Sequence, residues 1–214
     1  MALAQVQRSL IAIFEQWGIP QWIKVDNGRP FGDPLLKTPP PLALWLIGMG
    51  IAVSWSRPAT PQDNAVVERS QGVMARWTEY QKCANYDQLQ ERLHKEADFH
   101  NYHFPIRRQG GRKRCDIYPS LSKTGRKWNP ADFQLNRVLE FLAQGYWERK
   151  VSVNGQVAIY RQVFSIGRRF RHQKVSIKLD APHNSWQVFD ASGKLIKTKP
   201  TNFSKETICK LDLS

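Results

Sequence analysis

Cysteine is scarce in this sequence. Its three cysteines, Cys83, Cys115 and Cys209, lie far apart, and no C-x-x-C pair occurs. An odd and scattered set of cysteines argues against a disulfide framework and against a zinc finger as the organising element of the fold. We therefore expect three free thiols in a reducing compartment.

Long apolar runs are also lacking. The sequence has no stretch of about 18 uninterrupted apolar residues, and the apolar residues 42–53 suit a buried helix followed by a strand. Met1 is not followed by a basic stretch with a cleavage site, so we expect no secretory signal. These features predict that a membrane is not among the partners.

Acidic residues are few in the second half of the chain. Residues 1–106 contain 10 Lys/Arg and 10 Asp/Glu, whereas residues 107–214 contain 22 and 8, so the second half accounts for the whole net charge of +14. A basic module joined to a neutral one is typical of nucleic-acid binding, because cations that neutralise phosphates release counterions. The alternatives are a surface that only favours solubility and a ribosome-like RNA binder.

Hydrophobic periodicity predicts an α/β layer in residues 1–104. Leu3, Val6, Leu10, Ile13 and Trp17 recur at helical spacing, and the Gly and Pro residues that follow end this helix. The predicted elements are a helix over 3–17, a strand over 22–25, a helix over 42–49, a strand over 51–55, a helix capped by Asp63 that continues to Tyr80, and a helix over 87–102.

The hydrophobic period changes to two after a basic linker over residues 105–135. Asn154-Gly155 predicts a type I′ turn between strands over 150–153 and 156–160. Further strands are predicted over 174–179, 186–189 and 195–199, the last two joined by a Ser192-Gly193 turn. Short strands at this spacing favour a small β-barrel over 136–200, followed by a tail over 201–214.

Two carboxylates occupy positions suited to binding a divalent cation. Asp26 follows a predicted strand, and Glu68 lies on a helix face away from Val66 and Val73. Two-metal phosphoryl transfer needs carboxylates on rigid elements, and oxygen ligands suit Mg²⁺ and Mn²⁺. Taken singly, an Asp after a strand is more often a turn residue, and an exposed helical Glu is more often a solvated charge.

The segments around both carboxylates resemble a known family. Asp26-Asn27-Gly28-x-x-Phe31 is similar to the second-aspartate motif of the DDE recombinases, which include retroviral integrases and many insertion-sequence transposases. Ser56-Arg57-Pro58-x-x-Pro61-Gln62-x-Asn64-Ala65-x-Val67-Glu68-Arg69 is similar to their glutamate motif, and Gly18-Ile19-Pro20 also fits. The resemblance covers residues 1–104 and implies the C-terminal part of an RNase H-like integrase core, followed by an SH3-like barrel.

The resemblance also implies a function, namely Mg²⁺- or Mn²⁺-dependent cutting and joining of DNA during transposition. Carried over residue by residue, Asp26 and Glu68 would be the second and third catalytic carboxylates and metal ligands, and Asn64 would contact DNA at the transposon end. The implied partners are transposon-end and target DNA, together with further copies of this chain or a full-length transposase. The implied location is the bacterial cytoplasm, in association with the nucleoid.

The sequence departs from the family pattern at three points. Asp26 and Glu68 have 41 residues between them, where the family more often has about 35, and a longer loop accommodates the difference. Ala75 stands where many members have a DNA-facing Lys, so Arg69 and Arg76 are candidates to replace it.

Residues 1–25 contain no Asp, so the family's first catalytic Asp is missing. We therefore expect an N-terminally truncated transposase that does not catalyse strand transfer alone.

The candidate DNA contacts are cations on the predicted helix, in the linker and in the predicted barrel. They are Arg69, Arg76, Arg107, Arg108, Arg112, Lys113, Arg114, Arg168, Arg169, Arg171 and Lys174. The alternative is that the nearby Tyr160 and Phe170 are core residues and the arginines are merely solvated. The alternative functions are a non-catalytic DNA-binding module or inhibitor of a full-length transposase, and an RNA-binding protein unrelated to recombination.

Overall fold

The structure is a computed structural model that describes residues 3–33, 37–57, 60–119 and 125–213. Pro58 of the glutamate motif, residues 34–36 of the loop after Asp26 and residues 120–124 of the predicted linker lie outside these ranges. The chain divides into two compact units. Unit 1 comprises Met1–Glu15, Pro20–Trp55 and Trp128–Ser214, and unit 2 comprises Gln16–Ile19 and Ser56–Lys127.

Helices and strands alternate in the first half, as the periodicity predicts, and antiparallel strands dominate the second. In chain order the elements are α1 (Leu3–Trp17), β1 (Trp22–Val25), α2 (Pro41–Gly48), β2 (Ala52–Trp55), α3 (Ala65–Thr78), α4 (Tyr86–Asp98), α5 (Arg114–Ile117), α6 (Leu135–Ala143), β3 (Tyr146–Lys150), β4 (Gln156–Ile159), β5 (Gln162–Ser165), β6 (Lys174–Asp180), β7 (Ser185–Phe189), β8 (Leu195–Pro200) and α7 (Lys205–Cys209).

Helix α1 buries a different residue from those in the predicted apolar stripe. Phe14 is buried, whereas the predicted core residue Ile13 is 50% exposed. Phe14 packs against Trp45 of α2 and against Trp128, with ring centroids 6.3 and 6.1 Å apart. The prediction that Ile13 lies on the buried face is wrong. Trp45 and Trp128 are distant in sequence, and their positions determine which face of α1 is buried.

Strands β1 and β2 pair in parallel, from Trp22 opposite Ala52 to Val25 opposite Trp55. The apolar residues of the segment 22–25 would suit a buried strand, but Trp22 is 60% exposed and exposure alternates along both strands. Helix α2 connects the strands and begins with a proline, which suits the first helical turn. Its residues 42–48 are all buried, which is expected of a helix that is apolar on every side.

The second half of unit 1 contains an antiparallel sheet. In the described ranges its order is β3-β6-β7-β8, and β4 pairs with β5 in a separate two-stranded sheet. These ladders do not close into a barrel, so the SH3-like barrel remains a prediction. Trp186 of β7 is fully buried, and its Nε1–H donates to the side-chain oxygen of Gln162 at 2.9 Å.

The hairpin predicted at Asn154-Gly155 is wrong in its pairing. The preceding strand β3 pairs with β6, and β4 pairs with β5. The β4–β5 turn lies instead at Tyr160-Arg161, where both residues have the positive φ values of a type I′ turn. Residues 152–156 still form a tight turn, because Ser152 N–H donates to the Gln156 carbonyl at 2.8 Å. The local signal thus predicts a turn correctly but not the partner of each strand.

Two helices of unit 1 were not predicted. Helix α6 lies at the start of the predicted barrel and buries Val138, Leu139 and Leu142. Helix α7 lies in the predicted tail, where Ser204 and Thr207 form a capping box. Phe203, Ile208 and Leu213 are buried, so the tail is part of the core of unit 1.

Unit 2 has little buried apolar surface of its own. Helices α3 and α4 are joined through Glu79, which has a positive φ and forms ion pairs with Lys82 at 2.8 Å and Arg92 at 3.6 Å. The guanidinium of Arg92 also donates to the carbonyl of Thr78 at 3.1 Å. Ile19 is buried, and its N–H donates to the carbonyl of Arg126 at 2.8 Å. Polar contacts therefore connect much of this unit.

No membrane-spanning helix is present in the described ranges, because each helix there is too short or too polar to cross a bilayer.

Candidate nucleic-acid interface

Asp26 follows β1 in unit 1, where the sequence predicts it. Its side chain is exposed, and its Oδ1 accepts the N–H of Gly28 at 3.0 Å. A second hydrogen bond fixes this loop at Phe31, whose carbonyl accepts the Nε1–H of Trp55 at 2.8 Å. The Asp-Asn-Gly segment is therefore a side-chain-stabilised turn, which is the commoner role of an Asp at this position.

Glu68 lies in the first turn of α3 in unit 2 and is exposed. The predicted N-cap at Asp63 is wrong, since Asn64 occupies the N-cap position and makes no capping hydrogen bond. Asp63 instead accepts from the backbone N–H of Arg57 at 2.9 Å and from its guanidinium at 3.0 and 3.2 Å. These hydrogen bonds, with the charge of Asp63, raise the pKa of Arg57.

Asn64, the predicted contact to the transposon end, is engaged within unit 2. Its Oδ1 accepts the hydroxyl of Ser56 at 2.7 Å. Ser56 is buried, whereas Asn64 is half-buried. The hydrogen bond fixes the amide oxygen and leaves the amide nitrogen of Asn64 as the group with which this side chain could contact a phosphate or a base edge.

The predicted metal ligands Asp26 and Glu68 belong to different units, Asp26 to unit 1 and Glu68 to unit 2. Carboxylates have the chemistry that Mg²⁺ and Mn²⁺ prefer. In the described part of the chain, however, no three His, Cys, Asp or Glu side chains gather in a way that could hold a metal ion. The described side chains therefore do not form a complete metal site, and the binding of Mg²⁺ or Mn²⁺ remains a prediction.

The cations predicted on α3 are exposed. Arg69 lies in the first half of the helix, and Arg76 near its end donates from Nε to the Gly72 carbonyl at 3.3 Å. Val66 and Val67 on the same helix are 81% and 56% exposed. Val66 is therefore not a core residue, although its spacing from Val73 is that of one helix face.

The basic residues 107–114 are locally ordered. Arg107–Gln109 form a 3₁₀ turn, Ile106 bridges to Arg112, and Arg114 begins α5. The guanidinium of Arg114 donates to the carbonyl of His100 at 2.9 Å. Partial burial lowers the pKa of Arg114, and an arginine side chain keeps its charge in proteins. Arg107, Arg108, Arg112 and Lys113 are exposed.

The predicted cations of unit 1 lie between β5 and β6. Arg168 and Arg169 form a 3₁₀ turn, Arg171 follows it, and Lys174 begins β6; all four are exposed. The guanidinium carbon of Arg169 lies 4.8 Å from the ring centroid of Phe170. Such stacking holds a guanidinium in place while leaving its N–H groups free to donate outward.

Two lysines belong with this group but were missed in the sequence. Lys150 lies directly opposite Lys174 in the β3–β6 ladder, and both are exposed. Lys178 lies on the same face of β6, and its Nζ is 6.0 Å from the ring centroid of Phe189. The alternation of charged and apolar residues along β6 could have indicated Lys178. The sequence does not show that β3 pairs with β6, which places Lys150 opposite Lys174.

A group of aromatic side chains in unit 2 was also missed. We call Trp77, Phe99, His100 and Phe104 the aromatic cluster; its rings lie with centroids 5.1 to 6.3 Å apart. Phe99 and His100 belong to a π-helix over Phe99–His103, which follows α4 and turns these rings toward Trp77. The sequence signal was the density of rings between residues 99 and 104.

Comparison with models of known protein families gives no match to this sequence. The resemblance to DDE recombinases therefore rests on the residues around Asp26 and Glu68. Asp26 lies in a turn of unit 1, and Glu68 lies in the exposed first turn of α3 in unit 2. The family, its RNase H-like fold and its reaction remain predictions.

Proposed function

We propose that this chain binds duplex DNA and belongs to a DDE-type transposition system, in which it does not cut or join DNA by itself. One observation carries the proposal. Residues 149–179 contain eight Lys/Arg and no Asp or Glu, and the ladder of β3 and β6 sets Lys150 directly opposite Lys174, with the exposed Glu148 opposite Ser176 on the same face. The motifs around Asp26 and Glu68 supply the link to transposition.

The charge arrangement favours a polyanion as the partner. Like charges directly opposite each other in a sheet are destabilising, and an anion between them relieves the repulsion. Duplex DNA presents one phosphate charge per about 1.7 Å of helix axis, so several cations can be neutralised together. The exposed 3₁₀ turn with Arg168 and Arg169 precedes β6 along the chain and adds two further cations to this part of unit 1.

The test is the salt dependence of DNA binding by the full chain. Each phosphate contact contributes about −0.9 to the slope of log K against log salt. Replacing Arg168, Arg169 and Arg171 by Gln together should flatten that slope by roughly 2 to 3. The matched control replaces Lys194, Lys197 and Lys205 by Gln together, because it removes three exposed cations of unit 1 outside residues 149–179.

Two outcomes would overturn the DNA proposal. One is an affinity for duplex DNA that is indifferent to salt between about 50 and 200 mM. The other is an equal effect of the triple lysine control and of the triple arginine variant. Preference for duplex RNA over duplex DNA in a competition assay would instead support the RNA-binding alternative.

Catalysis needs a separate assay. With Mg²⁺ or Mn²⁺ present, we expect no nicking or joining of terminal-repeat DNA by the purified chain. Activity that the Asp26→Ala substitution abolishes would overturn this part of the proposal and would establish Asp26 as a catalytic residue.

A further inference from the structure

The aromatic cluster of unit 2 leaves much of its ring surface accessible. Phe99 is 45% exposed, and Phe104 is 37% exposed. Two tyrosines add to the exposed rings of this region, Tyr102 at 37% and Tyr118 at 51%. In unit 1 the rings of Trp147 and Trp186 are buried, whereas those of Trp22 and Tyr146 are exposed.

The same segment of the chain is rich in cations. Residues 99–118 contain five Lys/Arg against one acidic residue, Asp116. The hydrogen bond from Arg114 to the His100 carbonyl connects α5 directly to the π-helix that carries Phe99 and Tyr102. Asp116 is engaged locally, since one oxygen accepts the backbone N–H of Lys113 at 3.3 Å.

We propose that the exposed aromatics and the surrounding cations of residues 99–118 form a binding site for unpaired nucleotides. Proteins that bind single strands without sequence preference combine cations that follow the phosphates with aromatic rings on which bases stack. Both components occur here within one short segment of unit 2.

Stacking on these rings requires bases that are not paired. In a duplex the base faces are covered by their neighbours, so an exposed Phe or Tyr gains little from contact with the phosphate surface. This site therefore differs in ligand from the cationic surface over residues 149–179, which suits a duplex. The inference does not depend on the duplex-binding proposal, because it concerns different residues in a different unit.

The Tyr102→Leu and Tyr118→Leu variants of the full chain test the inference. Binding is measured by fluorescence anisotropy with labelled oligothymidylate of about 20 nucleotides and with a duplex of the same length. Each Leu substitution removes a stacking surface and should weaken oligothymidylate binding by about tenfold. Duplex binding should change by less than about twofold.

The matched controls are Tyr102→Phe and Tyr118→Phe, which keep the ring and remove the hydroxyl. We expect both to bind oligothymidylate as the original chain does. Tyr146→Leu removes an exposed ring from β3 of unit 1 and should leave single-strand binding unchanged. Circular dichroism of every variant establishes that the fold is retained.

Three results would overturn the inference: equal losses for single-stranded and duplex DNA, no loss for either Leu variant, or an equal loss in the Phe variants. A parallel oligouridylate measurement distinguishes DNA from RNA as the source of the unpaired bases. The triple Arg168, Arg169 and Arg171 variant separates the two proposals, since it should weaken duplex binding and leave oligothymidylate binding by residues 99–118 in place.

Discussion

Units 1 and 2 carry similar charge but differ in how much apolar surface they bury. Unit 1 contains 18 Lys/Arg and 10 Asp/Glu, and unit 2 contains 14 and 8. Of the 28 apolar residues that are buried in the described ranges, 27 belong to unit 1, and Ile19 alone belongs to unit 2. Burial of apolar surface is the dominant stabilising contribution to a fold.

The difference indicates that unit 1 specifies its own structure, whereas unit 2 depends on polar contacts and on one cluster of rings. Regions with few buried apolar contacts open at low free energy, and binding surfaces are often drawn from such regions. The exposed Val66, Phe99 and Tyr118 of unit 2 agree with this view. A ligand that binds folded unit 2 would stabilise it and would so compensate in part for the small amount of apolar surface that it buries.

The largest expected effect comes from removing Trp186 in unit 1, and Trp77 is the tryptophan of unit 2 compared with it. Trp186 lies between Trp147 and Phe203, with ring centroids 5.6 and 5.7 Å away, and Trp186→Ala should lower the free energy of unfolding by about 3–5 kcal/mol. Trp77 is only half-buried, and Trp77→Ala should cost about 1–2 kcal/mol. Urea denaturation followed by circular dichroism measures both.

Hydrogen exchange resolved by segment sharpens this comparison. Trp77→Ala should speed exchange in residues 65–118 and leave β6 and β7 protected. Loss of protection throughout both units in that variant would contradict the contrast in core content.

A second prediction concerns the two glycines in turns of unit 1. Gly155 and Gly193 both have positive φ, but a Cβ on Gly155 would lie 2.6 Å from Arg168 N, whereas a Cβ on Gly193 meets open space. Gly193→Ala should therefore cost about 1 kcal/mol from backbone strain alone. Gly155→Ala should cost about 2–4 kcal/mol, because steric overlap adds to the strain.

Thermal denaturation of the two glycine variants distinguishes the contributions. Equal losses would mean that the segment containing Arg168 moves aside without cost. That result would contradict the close approach of residues 155 and 167–168 in unit 1.

Loss of the helix cap in the C-terminal segment should have a smaller effect. The Ser204 hydroxyl accepts the N–H of Thr207 at 3.1 Å, and Ser204→Ala should destabilise unit 1 by about 1 kcal/mol. The measurement is the midpoint of urea unfolding. Ser165→Ala, at an exposed position of β5, is a control for loss of a hydroxyl outside a helix. An unchanged midpoint for Ser204→Ala would contradict the role of α7 in the core.

The smallest expected effect is a pH dependence of unit 2. Burial, with a further contribution from Arg114, lowers the pKa of His100 below its ordinary value of 6.5. The unfolded state therefore binds a proton more readily, so unit 2 is most stable above about pH 6.5 and loses stability as pH falls through that value. The dependence should diminish in His100→Gln, measured by unfolding between about pH 5 and 8.

A pH dependence of the opposite sign would contradict the desolvation of His100. Loss of stability on raising the pH above neutrality would require that the folded state favours the protonated imidazole. An identical profile in His100→Gln would assign the effect to another histidine of unit 2.

Element types were largely predictable from sequence because helical and strand periodicities are local. The order from α1 to α4 and the positions of β1, β6, β7 and β8 agree with the predictions. Asp26 at a strand end and Glu68 in a helix start are likewise where local patterns place them. Helix α7 was missed because residues 201–214 have too few periodic apolar positions to indicate a buried helix.

The candidate sites were only partly predictable. The cations at 107–114 and 168–174 are visible as runs of basic residues, but the opposition of Lys150 and Lys174 depends on which strands pair. The aromatic cluster depends on a π-helix that brings Phe99 and His100 to Trp77. Neither arrangement follows from neighbouring residues alone.

The sequence by itself determined the turn at Asn154-Gly155, the helix start near Glu68 and the separation of basic from neutral segments, because each depends on residues within a few positions. Tertiary structure decided that β3 pairs with β6, that Phe14 rather than Ile13 is buried, and that the C-terminal segment joins the core. Strand partners and buried faces are set by contacts between residues distant in sequence, whose free energy exceeds local preference.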